Sequence, residues 1–162
     1  MQRALTASTC ECELVTDDFA AIASRLGATG CTPSEIAWVE ADQGVRLPAS
    51  YRELLRVMGR DLGGLLVGST VTFPDILGAR AWAVELVKEN GVPHLLPASA
   101  AVVMLHQGYF MHFVDPAEGD DPPVRSWGEG QSGEPTAQLE APNLLAWILM
   151  IERSEAPYRR LT

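Results

Sequence analysis

Thr32 to Gly64, TPSEIAWVEADQGVRLPASYRELLRVMGRDLGG, carries the start and stop signals of two successive helices. Thr32 has the hydroxyl of an N-cap, Pro33 sits at the first helical position, where a missing N–H costs nothing, and Glu35 completes a capping box. Gly44 ends that helix. The second opens at Leu47-Pro48-Ala49-Ser50, places Tyr51, Leu54, Leu55 and Met58 on one face, and stops at Gly59. Arg52, Glu53, Arg56 and Arg60 fall on its wet side. Two short amphipathic helices joined at Gly44-Val45 predict a helical corner whose apolar faces share one core. The corner itself names no chemistry.

Toward the N-terminus, Thr16 can cap a helix with Asp17 and Asp18 in its first turn, Phe19, Ile22 and Leu26 on one face, and Gly27 as its stop. Residues 1–14 read as a poorly ordered polar tail. Cys10 and Cys12 lie there, and with Cys31 they form an odd set at no metal-like spacing, read as reduced, incidental thiols.

Toward the C-terminus, Leu65 to Val67 and Val71 to Phe73 are short β-prone runs around Gly68-Ser69, predicting a hairpin or bent edge strand. Pro74 and Asp75 open a third helix with Ile76, Ala79, Ala83, Leu86 and Val87 on one face, Trp82 flanking it, and Asn90-Gly91 at its end. Residues 101–105 and 109–114 predict two strands joined at His106-Gln107-Gly108, with bulky groups on both faces of the second. Shorter strands follow at 124–127 and 136–139, separated by the flexible GEGQSGEP loop. A last helix after Pro142-Asn143 buries Leu144, Trp147, Ile148 and Ile151, with a frayed tail expected over 154–162. This order predicts an α+β domain over 15–153, with helices around a mainly antiparallel sheet.

At 162 residues and 47% hydrophobic, the chain can bury one sizeable core, so one domain is expected. No apolar run approaches the roughly 18 needed to span a bilayer. The N-terminus lacks a signal-peptide centre, and a cytoplasmic protein is expected. The net charge of −9 argues against direct nucleic-acid binding and suits a basic partner, although acidity also serves plain solubility.

Gly59, Gly63, Gly64 and Gly68 do not have nucleotide-loop spacing, and no cofactor is implied. His106 and His112 bracket a turn, without a third ligand or nucleophile at a recognised spacing. The simpler reading has His106 satisfying the turn's backbone and His112 packed on the sheet, donating to a carbonyl or carboxylate. Asp120 and Asp121 read as solvated acids of a proline-rich loop rather than an acid–base pair. The expectation is therefore a non-enzyme.

Between Asp115 and Glu140 the chain carries seven acids, Asp115, Glu118, Asp120, Asp121, Glu129, Glu134 and Glu140, against Arg125 alone. Trp127 lies among them. Asp115, Glu118, Asp120, Asp121, Trp127, Glu129 and Glu134 are accordingly the candidate partner-binding set, the ring anchoring and the field steering. Trp127, like Tyr51 and Tyr109, can equally be a core residue.

The ordered pattern Glu40-x3-Gly44-x2-Leu47-Pro48-x2-Tyr51-x3-Leu55, then Gly59 and Gly63-Gly64, resembles the signature of the SUKH superfamily (SMI1/KNR4-like). His106-Gln107-Gly108-Tyr109-x-Met111-x-Phe113, followed by Asp121-Pro122-Pro123-Val124 and Trp127, is similar to the second half of its bacterial members. The likeness spans roughly Thr32 to Ile151 and leaves the Cys-containing N-terminal tail and the first helix outside. It implies an α+β fold with helices around a twisted antiparallel sheet. It also implies a bacterial immunity protein that binds and neutralises a cognate protein toxin without turnover. A nuclease or deaminase, whose cleft must be basic, would suit an acidic inhibitor. The family also includes a yeast cell-wall assembly regulator, so the alternative is a regulatory or scaffold module with a housekeeping partner. An enzyme using His106 or His112 is a third reading.

Overall fold

The computed structural model describes residues 18–159. Residues 1–14, with Cys10 and Cys12, and the Thr16 cap lie outside the described residues. In chain order the elements are α1 (Phe19–Leu26), α2 (Pro33–Gln43), α3 (Ala49–Met58), β1 (Ser69–Thr70), α4 (Ala79–Glu89), β2 (Ala101–His106), β3 (Phe110–Val114), β4 (Val124–Gly128), β5 (Gln138–Ala141) and α5 (Leu144–Arg159). All neighbouring strands are antiparallel, in the order β1-β2-β3-β4-β5. The fold is α+β.

The opening corner forms through its caps. Thr32 Oγ1 accepts the Glu35 N–H, and the Glu35 carboxylate accepts the Thr32 N–H at 2.9 Å. The same carboxylate takes the Arg60 guanidinium just past α3, so one side chain caps α2 and ties the two helices. These bonds hold it below the usual carboxylate range, with Arg60 the larger cause. Gly44 ends α2 at φ 64°, in the left-handed region that only glycine enters freely. α1 begins two residues later than the expected Thr16 cap implies, with the Asp18 carboxylate accepting the Ala21 N–H at 2.7 Å.

α3 buries Tyr51, Leu54, Leu55 and Met58, the face read from spacing, and packs mainly on α1, α2 and α5. β2 and β3 are buried along almost their whole length, as expected of strands covered on both faces. Deep in the core stand Trp147, Tyr51, Phe113, Ile22 and Leu47.

Larger differences from expectation lie in β1, α4 and α5. The strand expected across 61–73 shrinks to the two residues of β1, because Gly63, Gly64, Leu66 and Gly68 all take positive φ and curl the chain. α4 starts at Ala79 rather than Pro74, since Gly78 at φ 84° keeps 74–78 in a turn, its N–H donating to Asp42 at 2.8 Å. α5 continues through Arg159 where fraying was expected. The Glu155 carboxylate accepts the Leu66 N–H at 3.2 Å and Arg159 donates to the Gly63 carbonyl, so the last turns hold the curled segment.

Because β1 pairs only with Leu105 and His106, side chains replace a strand along the rest of that edge. The buried Gln43 donates to the Val102 carbonyl at 2.7 Å and accepts the Val102 N–H at 2.8 Å. Arg80 donates to the carbonyls of Ala100 and Ala98.

Candidate functional site

The acids that are neighbours in sequence do not form one surface. Asp115 is buried and structural: it accepts the Ser99 hydroxyl at 2.6 Å and caps the turn Pro116–Glu118 through the Ala117 N–H. Glu118 forms a two-bond pair with Arg125. Asp120 pairs with Arg46 at 3.0 Å, both exposed, while its carbonyl accepts the Ser50 N–H. Asp121 is exposed beside it. β4 then separates this end of the sheet from Glu129 by roughly 13 Å of strand. Glu134 lies exposed in the following loop.

Trp127, the ring of the candidate set, is 4% exposed and belongs to the core, the alternative its sequence position left open. It faces inward on β4, opposite Met111 of β3, because its large apolar area is worth more buried than wet. Tyr109, in contrast, stands exposed at the β2–β3 turn.

Both histidines are engaged in ways their positions did not indicate. His106 Nδ1 lies 2.9 Å from the Ser69 hydroxyl, joining β1 to β2, while the turn is closed by its backbone carbonyl. His112 does not donate as expected; its Nδ1 accepts the Trp147 indole N–H at 2.9 Å, and the rings meet edge-on. Burial pushes its pKa down to about 4, the Glu140 charge opposing. Among the described residues, no three His, Cys, Asp or Glu side chains cluster closely enough for a metal ion. Nor is any described helix long and apolar enough to cross a membrane.

The surface feature that sequence reading underrated is Trp82. It is 60% exposed, and its Nε1 donates to the Gly108 carbonyl at 3.0 Å, laying the indole across the β2–β3 turn. Gly108 makes this approach possible, since a Cβ there would stand 3.1 Å from the indole nitrogen. Clefts open on both sides. One, of about 540 Å³, is bordered by Thr70, Asp75, Leu77, Trp82, Leu105 and Gln107. The other, about 580 Å³, is bordered by Ala81, Trp82, Glu85, Leu86, Glu89 and Glu129. Asn90 fixes Glu129 with a 2.9 Å bond. Of the candidate partner-binding set, only Glu129 borders this groove; the periodicity of α4 marked Trp82 merely as flanking the buried face.

The sequence profile of the SMI1/KNR4 family (SUKH-1) matches residues 30–150, three quarters of the chain. The chain belongs to the SMI1/KNR4 family. No curated protein matches this SUKH-1 chain in sequence.

The motif residues of this SUKH-1 domain serve its corner and its turn. Glu40 accepts the Leu47 N–H at 2.9 Å and pairs with Arg52, which also donates to the Leu47 carbonyl, so the α2–α3 connection is closed from both sides. Leu47, Tyr51 and Leu55 are each at most 1% exposed. Gln107 and Gly108, at φ 50° and 79°, make the tight β2–β3 turn on which Trp82 rests. The signature therefore builds the scaffold, and through Gln107 and Gly108 it also borders the exposed groove.

Proposed function

We propose that this SUKH-1 protein is an immunity protein that binds a cognate bacterial toxin in the cytoplasm and neutralises it by covering its active site, without turnover. The observation that carries this reading is the family match across residues 30–150. Physical chemistry supports a basic partner: a net charge of −9 attracts a nuclease or deaminase whose cleft is positive for nucleic acid. The test is co-expression with any toxin-like product encoded beside it, scored for rescue of growth and for a stoichiometric complex. Rescue with complex formation is expected, together with association rates that fall as salt rises. A stoichiometric housekeeping partner without rescue would overturn the reading in favour of a regulatory module. Salt-independent association would overturn the electrostatic part.

A further inference from the structure

An exposed tryptophan held in one orientation is a ready-made anchor, because its ordering entropy is already lost in the free protein. Trp82 meets that description: the Gly108 carbonyl fixes its Nε1, the turn backs it, and at 60% exposure the ring stays open to the clefts beside it. Every charged side chain bordering the two clefts is a carboxylate, Asp75 on one side and Glu85, Glu89 and Glu129 on the other. The two cations of α4 leave these carboxylates open to a partner. Arg80 is held by the Ala98 and Ala100 carbonyls, and Lys88 stands 3.6 Å from Glu85 in an exposed pair that an incoming cation displaces at little cost.

A flat π face between carboxylates selects a planar cation. Guanidinium stacks on indole, is less tightly hydrated than ammonium, and pairs with carboxylates through two parallel bonds. We propose that the groove around Trp82 docks an extended arginine-bearing segment of the partner protein, one guanidinium over the indole and neighbouring basic side chains against Glu85, Glu89 and Glu129. This rests on the protein-binding reading above and adds to it the place and the chemistry of recognition.

The test uses the full chain and three blocked peptides, Ala-Arg-Ala-Arg-Ala and its lysine and glutamate counterparts, followed by nitrogen–proton correlation NMR. The arginine peptide is expected to move the Trp82 indole resonance and the amides of 75–89 and 107–109, with the lysine peptide several-fold weaker and the glutamate peptide without effect. Trp82→Ala and the triple change Glu85→Gln, Glu89→Gln, Glu129→Gln are expected to weaken binding tenfold or more. The triple change leaves the indole in place, so it separates lost charge from altered packing. Glu118→Gln, Asp120→Asn, Asp121→Asn at the other end of the sheet is expected to leave binding intact. An unmoved Trp82 resonance, or equal shifts around Glu118 to Asp121, would overturn the proposal.

Growth rescue distinguishes the two readings. Wild-type rescue with undiminished rescue and toxin affinity in Trp82→Ala would refute the groove and leave immunity standing. A peptide mapped to the groove without wild-type rescue would refute immunity and leave the groove standing.

Discussion

Gln43 shows how much one polar side chain can carry. Its amide is a flat donor–acceptor pair, and it meets the N–H and carbonyl of Val102 as a neighbouring strand would, deep in the protein. Gln43→Leu keeps similar volume but strands the Val102 N–H and leaves its carbonyl only the Tyr51 hydroxyl at 3.5 Å, so a loss of about 2–4 kcal/mol is expected in urea unfolding. His112 predicts a pH dependence. Unfolded, it takes a proton near 6.5; folded, it stays neutral down to about 4. In that window the unfolded chain binds more protons, so stability falls as pH drops from 6.5 toward 4, by about 3 kcal/mol in all. Unfolding free energies at pH 7, 5.5 and 4.5 check this, and His112→Phe is expected to flatten the slope across that interval. A slope that survives the substitution would place the effect on other groups.

At the scale of elements, the β2–β3 turn joins the sheet to α4. Gly108→Ala meets a strained φ of 79° and the Trp82 ring at once, for an expected cost of about 1–3 kcal/mol in thermal or urea unfolding. Combined with Trp82→Ala, part of that cost should vanish, and a double-mutant cycle measures how much. The helices were legible because their signals are local: Thr32, Glu35 and Gly44 act within a turn of where they stand. The β2–β3 hairpin was legible because alternating bulk and a Gln107-Gly108 turn need no distant partner. The segment 61–73 was not, since β-prone Leu65 to Val67 lost to a run of positive-φ turns held by Glu155 and Arg159, more than eighty residues away. Trp127 and Glu129 illustrate the same limit. Adjacency in sequence says nothing of burial, and the strand between Asp121 and Glu129 carries two acids that look like neighbours to opposite ends of the sheet.

For the whole molecule, the fold class followed from element order, and the family signature proved to describe its scaffold: Glu40, Gly44, Leu47 and Tyr51 close a corner and fill a core. The groove beside Trp82 escaped sequence reading because it is assembled from α4, the β2–β3 turn and the start of the loop after β4, three places unrelated by spacing. The simple strand order has a kinetic meaning. β2 to β5 occupy one unbroken stretch, residues 101–141, and each pairs with its successor, so this half can search its pairings over short loops. β1 reaches β2 only after a long excursion through α4. The transition state for folding is therefore expected to hold the β2–β4 meander while α1 and α4 are still undocked. Met111→Ala should slow folding, with a φ-value above about 0.5, whereas Ile22→Val should chiefly speed unfolding. On that ordering, the turn that presents Trp82 exists before the helix that bears it has arrived.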